Sequence, residues 1–389
     1  MRVLHIITGL TLAGAEGVLF RLCTAHGSAT AMHAVIALSS DGAHYIEPLR
    51  QAGIPVQSLA MPRGRLTLSG LIALTRTIHK MRPDIVQTWL YHADLVGGVV
   101  ARLAGQHRVA WNLRSAAVDP RQVSRRTRWV IRACAALSAR VPAQVLCCSE
   151  EARAAHIRLG YAADRMVVIP NGFCCDTLAP DPAKRHAIRQ ELGLDANATV
   201  VGMVARYHPQ KDHRNLLDAL AVLAERHPEL VCLLVGTGME PANAELAAAV
   251  AERGLVRNVR LLGPRYDIAT IMNGLDLHIL SSACLEGFPN VVAEAMACGT
   301  PCVATDVGET RAIVGTTGWI VAPGDSRALA QAIEHAIAAR CSDPTAWGQR
   351  RQAARARIAD NYSLPRMVER YEAAWRQMLN PDGGRSCAG

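Results

Sequence analysis

The sequence predicts two doubly wound α/β domains in tandem with helices at the C-terminus, and three observations carry that prediction. Short apolar runs alternate with helical stretches from the first residue onward, the pattern of a parallel sheet covered by helices on both faces. The alternation stops once, at Pro170, Asn171 and Gly172, and resumes after a polar, proline-bearing stretch from Asp176 to Lys184 that reads as a linker. The length of 389 residues is too great for one ordinary domain and suits two. Half of the residues are hydrophobic, yet only three are Phe, so Ala, Val and Leu favour helices packed closely on sheets over an aromatic-rich sandwich.

The elements follow in order. Strands are expected at Val3 to Thr8, His33 to Leu38, Val56 to Leu59, Ile85 to Thr88, Val109 to Leu113, Gln144 to Cys148 and Met166 to Ile169, with helices between them, the clearest from Leu68 to Met81. The second series has strands at Thr199 to Val204, Val231 to Val235, Val259 to Leu262, Asp276 to Leu280 and Cys302 to Thr305. From Asp325 to about Leu379 the pattern is helical without strands. The expected organisation is an N-terminal Rossmann-like domain at 1–172 and a second at 173–362. Residues 363–389 are expected to form a helix packing back towards the first domain, then a flexible tail. Ligands of such sheets bind outside the carboxyl ends of the strands, so the active site is expected in a cleft between the two domains.

Composition excludes several classes. No segment reaches 18 uninterrupted apolar residues, and Met1 opens a strand-like run without the layout of a signal peptide, so a cytoplasmic protein is expected. The twelve cysteines are scattered, with adjacent pairs at Cys147/Cys148 and Cys174/Cys175 and no C-x-x-C, which reads as reduced packing thiols with no structural metal. The net charge of +9 is uneven: residues 1–175 hold 20 Lys and Arg against 9 Asp and Glu, the remainder 22 against 24. The excess peaks where Arg121, Arg125, Arg126, Arg128, Arg132 and Arg140 meet no acid. Read as a helix, this segment sets an apolar stripe of Trp129, Val130, Ala133 and Leu137 beside basic flanks. A solvated flank is one reading, and contact with anionic lipid or a pyrophosphate-bearing acceptor is the sharper one. No nucleic-acid motif accompanies the charge, and nucleic acid is not expected as a partner.

The most informative stretch is EGFPNVVAEAMACGTP, from Glu286 to Pro301. Pro289 suits a first helical position, and Glu294 then lies about one turn inside the helix. The free backbone N–H groups of that first turn, near Asn290 to Val292, make an anion site. Carboxylates on either side of it serve best as acceptors for hydroxyl groups, as on a ribose and a sugar whose phosphates sit between them. A nucleotide sugar is such a ligand. After the first strand of the second series, Arg206 and Lys211 flank a Pro-containing turn. A fixed guanidinium and a flexible ammonium there can hold a diphosphate and neutralise the charge growing on a departing nucleotide.

In the first series, Gly9, Gly14 and Gly17 do not form G-x-G-x-x-G, which disfavours a dinucleotide and leaves a loop that closes over a ligand or a plain strand-to-helix turn. His92 opens a helix at a strand end, where it either hydrogen-bonds a sugar hydroxyl or a backbone carbonyl, or simply starts the helix. Arg114 has the same edge position after the next strand. No Asp-x-Asp triplet occurs, so the cations must do any neutralising.

With seven residues between Glu286 and Glu294, EGFPNVVAEAMACGTPCVATDVGE resembles the E-x7-E signature of glycosyltransferase family 4, retaining enzymes of the GT-B fold. CSEEARAAHIRLG, VVIPNGF, ARYHPQKDHRNLL, LVGTG and LLGPRYDI fall in that family's order along nearly the whole chain. The resemblance implies that Glu294 binds the nucleotide ribose and Glu286 the donor sugar. The amides of Gly287, Phe288, Pro289, Asn290 and Val291 would reach sugar and phosphates, Arg206 and Lys211 would bind the diphosphate, and His92 would sit by the transferred sugar. It also implies metal independence and retention of anomeric configuration. The family's Gly-Gly in the first loop is Ala13-Gly14 here, and Gly14 is carried over as a donor contact.

The expectation is a metal-independent, retaining glycosyltransferase with no cofactor. It would move a hexose-type sugar from a nucleoside diphosphate to a growing glycan carried on a polyprenyl lipid, in lipopolysaccharide or exopolysaccharide synthesis. It would sit at the cytoplasmic face of the plasma membrane, with Arg114, Arg125, Arg126 and Arg128 at acceptor or lipid. The alternatives are a GT-B nucleotide-sugar epimerase and a catalytically inactive scaffold.

Overall fold

The computed structural model describes the chain except residues 26–30, 41, 63, 116–123, 196–197, 285 and 381–389. It divides into two compact units, Met1–Gly172 with the stretch from Leu364 onward, and Phe173–Ser363.

The first unit is ordered β1 (Arg2–Ile7), α1 (Gly14–Thr24), β2 (Met32–Ser39), α2 (Ile46–Gln51), β3 (Val56–Met61), α3 (Leu68–Met81), β4 (Ile85–Trp89), α4 (Tyr91–Leu103), β5 (Val109–Leu113), α5 (Arg125–Leu137), β6 (Gln144–Cys147), α6 (Glu150–Arg158) and β7 (Met166–Val168). Its seven strands are all parallel, in the order β3-β2-β1-β4-β5-β6-β7. β4 and β5 are buried along their whole length, which is why they read as unbroken apolar runs. Thr67, Ser124 and Ser149 cap α3, α5 and α6 by accepting from Gly70, Thr127 and Ala152 N–H, and so set where each helix begins.

The second unit is ordered α7 (Pro182–Glu191), β8 (Val200–Val204), α8 (His213–Ala224), β9 (Val231–Val235), α9 (Ala244–Glu252), β10 (Val259–Gly263), α10 (Ile268–Gly274), β11 (Leu277–Leu280), α11 (Asn290–Ala297), β12 (Cys302–Thr305), α12 (Thr310–Val314), β13 (Trp319–Val321), α13 (Ser326–Ser342) and α14 (Pro344–Tyr362). Its sheet runs β10-β9-β8-β11-β12-β13, again parallel throughout. The last helix, α15 (Leu364–Leu379), belongs to the first unit. Its Tyr371 hydroxyl accepts from Asn112 Nδ2 at 2.9 Å, and Trp375 Nε1 donates to Gln87 Oε1 at 2.7 Å, so the helix gives two polar strand residues partners inside the core.

Three details differ from the sequence reading. The linker stretch ends in a helix, because Asp181 caps α7 by accepting from Ala183 and Lys184 N–H. β13 was not expected, since its three residues are only partly buried and carry no long apolar run. On α5 the buried side is Ile131, Cys134 and Ala135, while Trp129 is 66% exposed, so the stripe through Trp129 does not face the core.

Each sheet reverses its winding once, between β1 and β4 and between β8 and β11. Loops leaving the carboxyl ends of those strand pairs diverge to opposite sides, and ligands of doubly wound sheets bind in the crevice between them.

Candidate active site

In the second unit, the loops beside that crevice are the ones after β8 and β11, and they carry Arg206, Lys211 and Glu286. They are sewn together by backbone and side chain. Ala283 N–H donates to Gln210 O at 2.9 Å, and Ser281 Oγ donates to the Lys211 and Asp212 carbonyls at 2.8 and 3.1 Å. Asp212 sits in the left-handed region, φ 46°, and its carboxylate caps α8 through Asn215 N–H, an arrangement that turns the chain sharply after Lys211.

The Lys211 ammonium forms an ion pair with Glu286 Oε1, and Ser282 Oγ donates to the same oxygen at 2.7 Å. Glu286 is buried and Lys211 mostly so, which makes the pair strong and expensive to break on one side only. Arg206 is exposed on the same loop. Its charge and that of Lys211 join burial, the larger cause, in lowering the pKa of His208. The loop after β9 supports this one from behind: Tyr207 N–H donates to Thr237 O at 2.8 Å. Gly236, at φ 142°, lies so close that a Cβ there would stand 1.8 Å from Ala205 O, so only glycine fits.

Helix α11 follows the Glu286 loop. Pro289 is its N-cap rather than its first residue, because its ψ of 90° is extended, and no side chain caps the helix. Within that first turn the Val292 N–H turns back to the Pro289 carbonyl at 3.1 Å. Gly287 is buried in the turn, and Val291 and Glu294 are partly exposed on the helix. The Phe288 ring stacks on Phe173 at 6.0 Å and meets Tyr362 edge-on at 5.4 Å, so its role is to anchor the turn, and only its backbone is available to a ligand.

In the first unit, His92 is the second residue of α4 and is half-buried, and burial lowers its pKa, keeping the imidazole neutral at neutral pH. The turn that places it is strained: Leu90 holds φ 72°, a conformation rare for a branched residue. Arg114 Nη1 donates to Asn112 Oδ1 and to the Tyr371 hydroxyl, both at 3.3 Å, and its guanidinium lies over Trp89 at 5.9 Å. Gly14 begins α1. Ala13 before it is extended, φ −144°, a conformation open to any residue, so the Ala-Gly in place of Gly-Gly brings no strain. Arg125, Arg126 and Arg128 lie on the first turn of α5, which has no acid, whereas Arg121 is outside the described residues.

Sequence reasoning missed Ser282, Glu16 and the Tyr91–His156 pair. Glu16 is buried in the first turn of α1, accepts from Thr11 Oγ1 at 3.0 Å and has a raised pKa through burial. The Tyr91 hydroxyl lies 2.7 Å from His156 Nε2 and 2.9 Å from Ser115 Oγ. Among the described residues, His5, Cys23 and His33 are the group close enough to ligate a metal. Three of the four ring nitrogens are already engaged: His5 Nε2 and His33 Nδ1 share a hydrogen bond of 3.0 Å, and His5 Nδ1 accepts from Trp89 Nε1 at 3.2 Å, while His33 Nε2 is buried without a partner among the described residues. The group is mainly a hydrogen-bonded polar cluster within the core.

A helix start without a side-chain cap beside the switch point, with the Lys211–Glu286 ion pair joining the loops after β8 and β11, is the kind of site that phosphate-bearing ligands of doubly wound proteins use. Residues 198–339 match the model of the group 1 glycosyl transferases and residues 2–172 that of the glycosyl transferase 4-like domain. The chain belongs to the family-4-like glycosyltransferases of the GT-B fold. It is similar to the UDP-Gal:alpha-D-GlcNAc-diphosphoundecaprenol alpha-1,3-galactosyltransferase of Escherichia coli, 25% identical over 317 residues and 80% of each chain. It is 28% identical to the 2-deoxystreptamine glucosyltransferase of Streptomyces kanamyceticus, over 78% of this chain and 83% of the other. Among solved structures, Anabaena HepE in complex with UDP superposes with a TM-score of 0.84 at 26% identity, covering 97% of this chain and all of the other. No helix among the described residues is long and apolar enough to cross a membrane.

Proposed function

We propose that the protein is a retaining, metal-independent glycosyltransferase that moves a hexose-type sugar from a nucleoside diphosphate donor onto a growing, polyprenyl-linked glycan in cell-surface polysaccharide synthesis. The observation that carries this reading is the Lys211–Glu286–Ser282 cluster beside the uncapped start of α11, with Glu294 one turn further on. The donor diphosphate would lie over the first turn of α11, with Arg206 and Lys211 as its cations and Glu294 accepting from the ribose hydroxyls. Lys211 exchanges its carboxylate partner for a phosphate oxygen. Glu286, so released, accepts a hydrogen bond from the sugar.

The bond between the anomeric carbon and the diphosphate oxygen breaks as the acceptor hydroxyl adds from the same face. The hydroxyl proton passes to the departing phosphate, whose charge the two cations have stabilised. In the first unit, the neutral His92 is assigned to a sugar hydroxyl, and Arg114 to the acceptor. No metal or other cofactor is assigned.

The printed names of similar proteins support the choice of ligands. The E. coli relative is named for a UDP-galactose donor and a diphosphoundecaprenol acceptor, and HepE has been solved with UDP-glucose. An acceptor of that kind is presented at a membrane, and we assign the basic first turn of α5 to the anionic inner face of the plasma membrane.

A thermal-shift screen of UDP, GDP, ADP and their sugars tests the donor class, and NMR of the product reads its anomeric configuration. Stabilisation by one diphosphate family and a product with the donor's configuration are expected. A donor isomerised without acceptor would instead make the protein an epimerase, and an inverted product would overturn the retaining mechanism.

A further inference from the structure

The second unit holds another cavity, of about 320 Å³, beyond the C-terminal end of α11, whereas Glu294 and the helix start serve the donor site. Three guanidiniums line it, from Arg185, Arg351 and Arg355, together with Gly299 and Gly348. Two of the three are clamps. Arg355 donates to the carbonyls of Cys175, Leu178 and Ala297, and Arg185 donates to those of Asn273, Gly274 and Leu275 and to Asp276 Oδ1.

Arg351 differs. Its Nε donates to Gly299 O at 2.9 Å, while its two terminal nitrogens have no partner among the described residues. Nor does it have an acid of its own. Asp276 is already shared by Arg185, Arg189 and Arg340, at 2.6, 2.8 and 3.3 Å, and the lining carboxylate of Asp181 caps α7 and pairs with Lys184 at 3.3 Å. Burial, with the neighbouring Arg185 and Arg340, lowers the pKa of Arg351 by more than the shared Asp276 raises it, the expected mark of a cation with too little counter-charge. At Gly348, which lines the cavity, a Cβ would meet nothing within 4 Å, so a side chain can be added there without a clash.

We propose that this cavity binds a small phosphate-bearing anion, gripped in a bidentate manner by the terminal nitrogens of Arg351 with Arg185 as the second cation. The planar fork of a guanidinium matches two phosphate oxygens, and a multiply charged phosphate suits adjacent cations better than a single carboxylate does. The volume lies in the range of small-molecule pockets and accommodates a phosphorylated sugar or a diphosphate. The site is separate from the donor diphosphate site and does not depend on it.

Calorimetric titration of the full chain with inorganic pyrophosphate tests this, in an Arg206→Ala/Lys211→Ala background that weakens donor-site binding. One binding event per chain is expected there. It should weaken at least about tenfold when Gly348→Glu is added, because that change sets a carboxylate at the cavity while leaving every hydrogen bond in place. Arg351→Gln should act alike, with far-UV circular dichroism confirming that both variants fold. Nucleotide binding by an otherwise native Gly348→Glu protein should stay unchanged, which separates this proposal from that of the donor site. Absence of pyrophosphate binding in the background protein, or equal affinity with and without Gly348→Glu, would overturn the proposal. So would retention of an Arg125→Glu/Arg126→Glu/Arg128→Glu protein on phosphatidic acid vesicles that Gly348→Glu abolishes and pyrophosphate fails to compete, which would assign the cations to a lipid headgroup.

Discussion

Lys211 and Glu286 stand 75 positions apart, and their pairing is what makes each useful. A buried carboxylate without its cation is costly, so removing Lys211 leaves Glu286 held by Ser282 alone as well as depriving a departing diphosphate of charge. Lys211→Ala is expected to lower kcat roughly 100- to 1,000-fold with a much smaller change in KM for the donor, as read by steady-state kinetics. Comparable kcat in mutant and parent would remove Lys211 from the chemistry. A second residue test lies at Gly308, whose φ is 56° and where a Cβ would stand 2.0 Å from Glu286 O. Gly308→Ala should destabilise by about 2–4 kcal/mol and slow turnover, since the Glu286 backbone must move. Thermal unfolding beside the activity assay checks both. The positions of Arg206, Lys211 and Glu286 in loops after strands, and of Glu294 inside a helix, were legible from the flanking apolar runs. The pairing was not, because nothing local in either segment records a partner so far along the chain.

At the scale of elements, α11 and α5 are both short helices whose starts have unusual surroundings. α11 was legible almost to the residue, since Pro-Asn at one end and Cys-Gly at the other bracket an apolar run. Its start shifted from Pro289 to Asn290 because a proline fixes φ but not ψ. The apolar stripe read for α5 through Trp129, Val130, Ala133 and Leu137 is not its buried side, which is Ile131, Cys134 and Ala135. Trp129 instead stands exposed one turn beyond Arg125 and Arg126, with Arg132 a turn further on, the pairing of ring and cations that suits a lipid interface. Reversing Arg125, Arg126 and Arg128 to Glu should abolish co-flotation with anionic vesicles at low salt, each charge contributing about 1 kcal/mol near such a surface. Flotation unchanged by the three reversals would leave α5 a solvated flank. β13 escaped the sequence reading because an edge strand of three half-buried residues has too little periodicity to register.

Over the whole molecule, both sheets were legible because their central strands are buried and read as apolar runs, and one break at Pro170 to Gly172 separated them. The same burial sets a pH dependence. Burial is the main cause that holds His33 and His213 down to about 4 and His278 to about 3, against 6.5 when unfolded. The unfolded chain then binds more protons than the folded one between those values. Stability contributed by keeping these rings neutral is complete above about pH 6.5 and falls as pH drops towards 4, by on the order of 2 kcal/mol per ring at pH 5. Glu16 and Asp94, whose pKa values burial raises, oppose this trend. His33→Gln should therefore flatten the stability profile between pH 7 and 5 in denaturant titrations, and an unaltered slope would show that His33 is not among the groups responsible.

The central claim is that a nucleoside diphosphate is held in the second unit at the start of α11, with Glu294 on its ribose. Calorimetric titration of UDP, GDP and ADP in the presence of a metal chelator, into the native protein and Glu294→Ala, measures this directly. One of the three should bind the native protein in a single event per chain, and Glu294→Ala should weaken it roughly 10- to 100-fold. Equal affinity in the two proteins, or no binding by any of the three, would contradict the account.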